Sequence, residues 1–323
     1  MSIRPRPLGK TGLVVSELSL GTWGLSGDAY GAVDAEVADK TIARALDMGF
    51  TLFETADAYG GGAMEARLGR MLAGDAGKSA VLVTKVGTDL TSDPPRKRFE
   101  SAYLRERVVA SLKRLGRERL DVVLLHNPSA DALLHGEDGS GTAPPALLAL
   151  KKEGLIGHWG VAVGDAEVGR AAIDKGAEVI ELAYNLMHPI DLHRLAGDAM
   201  VSGVGILARS VLAHGLLSGL WVKSRVFDPG DHRAARWTQP EFERRVDQLG
   251  PLSFLVRGDV LTMRAAAVRF VLANHLVSSA VLGPRSVEQL EQLVRETGSG
   301  PRYIPDEDLS ALPRVLAKVG ILT

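Results

Sequence analysis

The sequence predicts an α/β fold of the (β/α)8 TIM-barrel class, organised as a single domain over residues 1–323, and three observations favour it. Short β-branched or apolar runs alternate with longer segments of helical period, which is typical of a parallel sheet covered by helices. Eight such units occur along the chain, and eight repeats favour a closed barrel over an open sheet. A length of 323 residues also lies within the usual range of such barrels with insertions.

The eight predicted strands are short apolar or β-branched runs, each followed by a segment with helical spacing of its apolar residues. The strands are Leu18–Gly21, Thr51–Glu54, Ala80–Lys85, Asp121–His126, Ile156–Val161, Glu178–Ala183, Val204–Arg209 and Ser279–Gly283. Helices are expected at about 35–48, 63–73, 101–115, 143–153, 165–175, 191–201, 261–274 and 286–296, with a last one near 306–319. The chain has 36 glycines and no Gly/Ser-rich tract, which indicates many tight turns and no flexible linker.

Two segments interrupt the strand–helix repeat. The turn-rich stretch 131–145 follows strand 4, and the long, charged stretch 223–259 with its prolines follows strand 7. Both are predicted at the carboxyl ends of the strands, where barrels of this class carry their active sites. We therefore expect the two segments to cover a substrate or a cofactor.

Composition excludes several classes of function. With 38 Lys and Arg against 39 Asp and Glu, the formal net charge is −1, which argues against nucleic acid or an anionic membrane as partner. The absence of cysteine excludes disulfides, thiol nucleophiles, Cys-ligated zinc and iron–sulfur clusters. The first residues show no apolar signal region, and no run approaches the ~18 apolar residues of a membrane span, so a cytoplasmic protein is expected.

Known short motifs for phosphate, metal or serine chemistry are missing. No G-x-G-x-x-G opens a helix after a strand, so a Rossmann dinucleotide site is not predicted. The eight histidines are dispersed without H-E-x-x-H or H-x-H spacing, and no metal site is predicted. G-x-S-x-G is absent as well, which disfavours a serine hydrolase.

Ionisable residues interrupt apolar runs at the ends of three neighbouring strands. Glu54 ends strand 2, Lys85 ends strand 3 and His126 ends strand 4, while Tyr59 follows in the loop after strand 2. A buried lysine needs a counter-ion, and Glu54 is the expected one. A tyrosine hydroxyl titrates near ~10, so we expect Lys85 to favour its phenolate and His126 to orient a carbonyl group. This set predicts acid–base chemistry on a carbonyl or alcohol, with any hydride supplied by a bound cofactor.

The chain resembles the aldo-keto reductases over nearly its whole length, in the branch with a long loop after strand 7. The resemblance is carried by Leu8–Gly12, Val15-Ser16, Gly21–Trp23, Phe53–Gly60, Ser111–Gly116, Leu124–His126, Tyr184-Asn185, Gly215–Gly219 and Gly283–Gln289. It implies a barrel that binds NADPH without a Rossmann fold and reduces a small-molecule carbonyl compound, as a monomer or a homo-oligomer. The family's proton-transfer tetrad of Asp, Tyr, Lys and His falls on Glu54, Tyr59, Lys85 and His126.

The resemblance also implies a set of cofactor contacts. These are Gly21, Thr22, Trp23, Glu181, Arg209, Ser210, Leu212, Gly215, Ser218, Gly283, Arg285, Ser286 and Gln289. Among them, Arg285 suits a ribose 2′-phosphate.

Several positions depart from the family pattern. The tetrad aspartate is Glu54, the Ser-Asn pair after strand 5 is Ala162-Val163, and the strand-6 glutamine is Glu181. Arg209 stands where many members stack an aromatic ring on the nicotinamide. These departures keep two alternatives open, a barrel that binds a ligand without turnover and a lyase or isomerase that uses the same four residues for proton chemistry.

Overall fold

The computed structural model describes residues 3–134, 143–298, 300 and 303–323, and it contains a closed barrel of eight parallel strands. We number the barrel strands β1 to β8 along the chain. They are Leu18–Gly21, Leu52–Glu54, Val81–Val86, Leu120–His126, Ile156–Ala162, Val179–Ala183, Gly205–Arg209 and Val277–Leu282. Each strand pairs with its neighbours in sequence, and β8 pairs with β1 to close the ring. The predicted single-domain (β/α)8 barrel is confirmed.

Helices alternate with the strands, and the predicted ones agree with the structure to within two residues at each end. The described helices are Ala35–Asp47, Ala63–Met71, Asp75–Lys78, Ser101–Leu115, Ala130–Leu134, Ala143–Lys152, Ala166–Asp174, Ile190–Ser202, Gln239–Asp247, Met263–Ala273, Val287–Thr297 and Asp306–Lys318. Among the helices in these parts of the chain, none has the length and apolar character needed to cross a membrane.

The core has two layers. An inner cluster inside the barrel includes Val83, Leu124 and Leu207, and a larger outer cluster joins the barrel to its helices. Leu8 belongs to the inner cluster and packs against Gly205, where β7 begins. A Cβ at Gly205 would lie 2.7 Å from Leu8 Cδ1, so this close approach requires glycine. The start of the chain therefore plugs the amino-terminal end of the barrel.

Two short hairpins were not expected from the sequence. Pro5–Pro7 pairs with Val14–Ser16, and Thr88–Asp89 pairs with Arg96–Lys97 directly after β3. Strands of two or three residues are too short to show the alternation that identifies longer strands. The second hairpin lies at the carboxyl ends of the barrel strands, next to the candidate site.

The two predicted loops are partly helical, which corrects the sequence analysis. Positions 131–134 end one helix and 143–145 begin another, while 135–142 lie outside the described residues. Within 223–259, a capping box of Thr238 and Glu241 starts the helix Gln239–Asp247. The side chain of Glu241 accepts hydrogen bonds from the Thr238 backbone N–H and hydroxyl, which satisfies a donor that a helix start leaves free.

Candidate active site

All four residues of the predicted tetrad line one cavity of about 1030 Å³ at the carboxyl ends of the strands. Glu54 and His126 are the last residues of β2 and β4, and Lys85 is the last but one of β3. Tyr59 directly precedes a tight turn of three glycines. Their φ angles are positive, 57° at residue 60, 61° at residue 61 and 95° at residue 62. Glycine adopts this left-handed backbone without strain, so the turn holds the tyrosine over the barrel mouth.

Lys85 is buried, with 2% of its side chain exposed, and contacts two carboxylates. Its ammonium is paired with Glu54, as the sequence predicted, and also lies 3.3 Å from Glu181 Oε1 on β6. Burial lowers the pKa of Lys85, and the Glu181 carboxylate opposes that shift. Arg209 at the end of β7 lies 3.9 Å from Glu181. Two carboxylates therefore face two cations at the floor of the cavity.

Tyr59 donates a hydrogen bond from its hydroxyl to Glu54 Oε1 at 3.5 Å, and the Lys85 ammonium lies 5.3 Å from the centre of its ring. Burial raises the pKa of Tyr59 well above its ordinary value, and the Glu181 carboxylate raises it further. From the sequence alone, Lys85 is expected to lower this pKa. The pKa is raised instead because burial of the hydroxyl is the largest influence on it, so Tyr59 stays protonated at neutral pH.

His126 is a neutral imidazole in this environment. Burial lowers the pKa of His126 well below its usual range, and the cations Lys85, Lys97 and Arg209 lower it further. Its Nδ1 lies 3.4 Å from the Thr88 hydroxyl, and its ring meets the Tyr59 ring edge-on at 6.1 Å. A neutral imidazole carries one N–H donor and one acceptor, so it can donate a hydrogen bond to a carbonyl oxygen.

Most of the predicted cofactor residues line the same cavity. These are Gly21, Trp23, Glu181, Arg209, Ser210, Leu212, Gly215, Ser218, Gly283, Arg285 and Gln289. Two others are close by but have structural contacts. The buried Thr22 hydroxyl donates to the Glu54 carbonyl at 3.0 Å, and Ser286 caps the helix Val287–Thr297 by accepting from Gln289 N–H at 3.3 Å.

Arg285 precedes the amino terminus of that helix. Its Nη2 donates to the carbonyls of Gly31 at 2.9 Å and Ala32 at 3.0 Å, while its buried Nε has no hydrogen-bond partner within the described chain. Helix amino termini favour anions, because their free N–H groups and the helix dipole both point toward the ligand. This end of the cavity therefore suits a phosphate group.

The segment after β7 adds residues that the sequence analysis did not single out. Arg225, Arg233 and Arg236 line the cavity, and Asp231 holds Arg233 by hydrogen bonds of 2.9 Å to Nε and 2.5 Å to Nη2. The Arg233 guanidinium lies 4.7 Å from the centre of the Tyr30 ring. The charge of this segment was visible in the sequence, but which cations face the cavity depends on how the segment folds back.

Comparisons with known proteins agree with this architecture. The model of the Aldo/keto reductase family matches residues 17–299. The chain is 28% identical to the aldo-keto reductase YhdN of Bacillus subtilis, over 89% of this chain and 87% of that protein. It is 27% identical to the NADH-specific methylglyoxal reductase of Escherichia coli, over 89% of this chain and 91% of that protein.

A solved structure is similar over the full length. The glycerol dehydrogenase AKR11B4 from Gluconobacter oxydans superposes with a TM-score of 0.82 at 26% identity, covering 100% of this chain and 98% of that one. With the family model matching most of the barrel, the chain belongs to the aldo/keto reductase family.

Proposed function

We propose that the protein is an NADPH-dependent oxidoreductase that reduces an aldehyde, a ketone or a sugar-like carbonyl to an alcohol. The observation that carries this proposal is the convergence of Tyr59, Lys85, His126 and Glu54 on one cavity at the barrel mouth. A tyrosine that can donate a proton, a nearby cation and a neutral imidazole that can donate a hydrogen bond suit proton transfer to a carbonyl oxygen.

Each residue has a distinct proposed role. The nicotinamide, when bound, supplies the hydride that bonds to the carbonyl carbon. Tyr59 transfers its hydroxyl proton to the carbonyl oxygen as charge develops there, which leaves a phenolate near Lys85. His126 donates a hydrogen bond that orients the carbonyl. Glu54 and Glu181 hold the Lys85 ammonium in place.

The cavity suits a dinucleotide in volume and in charge. Its volume of about 1030 Å³ lies just above the range of about 300–1,000 Å³ usual for ligand pockets. The Glu181 carboxylate can accept from the amide nitrogen of a carboxamide, whereas Ala162 offers no side-chain hydrogen bond. Ser210, Gly215 and Ser218 also line this cavity.

The direct test is a titration of the purified protein with NADPH, followed by nicotinamide fluorescence, together with NADPH oxidation on adding a generic aldehyde. We expect saturable binding and aldehyde-dependent oxidation. Binding without turnover across a panel of aldehydes, ketones and sugars would support a ligand-binding role instead. If the protein binds neither NADPH nor NADH, the proposal is overturned.

Arg285 is expected to set the preference between the two cofactors. Charge-assisted hydrogen bonds to a 2′-phosphate are worth about 1.5–3 kcal/mol, so NADPH should bind about ten- to a hundredfold more tightly than NADH. Arg285→Ala should remove most of that difference. The exposed Arg295, on the helix Val287–Thr297 that follows Arg285, offers a matched control, since Arg295→Ala should leave both affinities unchanged. Equal affinities of the unmodified protein for both cofactors would contradict this role.

A second candidate function is proton chemistry by a lyase or isomerase, and one observation favours it. Glu54 is one methylene longer than the family's aspartate, and its Oε1 accepts from the Tyr59 hydroxyl at 3.5 Å. Such a carboxylate could take part in proton transfer itself.

Glu54→Asp separates the two functions. If Glu54 only pairs with Lys85, the shorter carboxylate should keep or raise reductase turnover. If Glu54 is a base, the shorter side chain moves the carboxylate by over ~1 Å, which should reduce turnover about a hundredfold. The measurement is turnover with NADPH and an aldehyde beside a thermal melt, with Glu181→Asp as control for the second Lys85 partner. An inactive but folded Glu54→Asp protein would favour proton chemistry.

A further inference from the structure

A hairpin outside the tetrad contacts His126 through Thr88, which in turn is hydrogen-bonded to Lys97. Thr88 and Lys97 are directly opposite each other in this hairpin, so their side chains lie on one face of it. The Lys97 ammonium donates to Thr88 Oγ1 at 2.7 Å, and Thr88 Oγ1 lies 3.4 Å from His126 Nδ1. Thr88 is buried, and Lys97 is half-buried.

The backbone around Thr88 is held in place from two sides. Gly87 has φ of 108°, which lets the chain turn from β3 into the hairpin, and a Cβ there would lie 2.2 Å from the Phe99 ring. The buried Tyr103 hydroxyl donates to the Thr88 carbonyl at 3.1 Å. The hydroxyl of Thr88 is therefore presented to His126 by a rigid support.

The donors and acceptors in this chain of contacts allow it to run from Lys97 through Thr88 to His126. An ammonium group has three donors and no acceptor, so Lys97 can only donate to Thr88 Oγ1. The hydroxyl proton of Thr88 then remains free to be donated to His126. Because the imidazole is neutral, one ring nitrogen accepts and the other carries the proton.

We propose that Thr88 and Lys97 are positioning residues that hold His126 in the tautomer with Nδ1 as acceptor and the proton on Nε2. Among the described residues no group accepts a hydrogen bond from Nε2, and His126 lines the cavity. The Nε2–H is thus available to a carbonyl oxygen. Only the donation of this hydrogen bond to a substrate carbonyl rests on the proposed function, since the tautomer itself is a property of the protein without substrate.

The direction of the hydrogen bonds from Lys97 through Thr88 to His126 depends on the charge of Lys97. Burial lowers the pKa of Lys97 to about 8, and the Asp57 carboxylate raises it in part. Asp57 faces it from the turn after β2 and is paired with Arg107 at 2.7 Å, and His126 faces it from β4. The other charges of the hairpin, Asp89 with Arg96 and Arg98, are paired with one another.

Above about pH 8 the neutral amine of Lys97 gains a lone pair and can accept the Thr88 proton. His126 then loses the donor that selects its tautomer. We therefore expect kcat/KM for carbonyl reduction to fall as pH rises through about 8. Loss of the Tyr59 proton would appear at higher pH, because the pKa of Tyr59 is raised above 10.0.

The test combines nitrogen NMR of the full chain with kinetics of matched variants. Long-range proton–nitrogen spectra of 15N-histidine protein distinguish the two tautomers, and His126→Gln identifies the signals by their loss. At pH 7 the unmodified protein should show the Nε2–H form, Thr88→Val a mixture, and Thr88→Ser the Nε2–H form again. We expect Thr88→Val to reduce kcat/KM about three- to tenfold, with Thr88→Ser restoring it.

Lys97→Arg supplies the second readout. Arginine stays protonated in proteins, so this variant should keep the Nε2–H form at pH 9 and lose the fall in kcat/KM near pH 8. An Nδ1–H tautomer in the unmodified protein, or spectra unchanged by Thr88→Val, would overturn the proposal. If Thr88→Val does not fold, the comparison of Lys97→Arg with the unmodified protein decides. The spectra need no cofactor or substrate. They therefore test the tautomer even if the protein shows no reductase turnover.

Discussion

Tyr59→Phe is expected to lower the turnover of carbonyl reduction by about a hundred- to ten-thousandfold, the usual contribution of a positioned general acid. The variant removes the hydroxyl that donates to Glu54 but keeps the ring beside Lys85. Because the ring volume is unchanged, affinity for the nicotinamide cofactor should stay within about threefold.

The measurement is steady-state turnover beside a fluorescence titration. Tyr184→Phe is a matched control, because Tyr184 is a buried tyrosine outside the cavity whose hydroxyl accepts from Asn274 at 3.1 Å. It should retain turnover, apart from a small loss of stability. If Tyr59→Phe retains more than about a tenth of the unmodified turnover, Tyr59 is not the acid.

The double variant Glu54→Gln with Glu181→Gln is expected to cost about 3–5 kcal/mol of unfolding free energy, because it leaves Lys85 buried without a carboxylate. Each single variant should cost much less, since the other carboxylate still contacts the ammonium. The structure thus changes the expectation for Glu54→Gln. On the sequence alone, this variant would leave the buried Lys85 ammonium without a counter-ion. Chemical unfolding of the two single variants and the double variant measures the difference.

The pH dependence offers an independent check. With both carboxylates removed, the pKa of Lys85 in the folded state should drop further below the value of 10.5 that it has in the unfolded chain. The unfolded state then binds more protons between those two pKa values. Stability of the double variant should therefore rise with pH in that window, more steeply than that of the unmodified protein. If the losses of unfolding free energy in the two single variants simply add in the double variant, and do not change with pH, Glu54 and Glu181 do not share the role of counter-ion to Lys85.

The sequence predicted the barrel well because its two repeating signals are local. Apolar strand runs and helical spacing need only neighbouring residues to be recognised, and their alternation implies a parallel sheet. Parallel strands in a barrel bring their carboxyl ends to one face, so Glu54, Lys85 and His126 could be placed together without coordinates. The short hairpins are too brief to show alternation, and the helix inside 223–259 was missed although Thr238 and Glu241 form a capping box that is visible in the sequence.

By itself, the sequence determined the eight-unit barrel and the convergence of the tetrad at its mouth. Only the tertiary structure decided which groups contact the tetrad. Glu181 reaches Lys85 across the barrel interior from β6, which is not a neighbour of β3, and Lys97 reaches His126 through Thr88. Strand order and spacing determine which ends meet. The direction and reach of each side chain, and with them the pKa of Tyr59 and the contact of Thr88 with His126, follow from packing between segments distant in sequence.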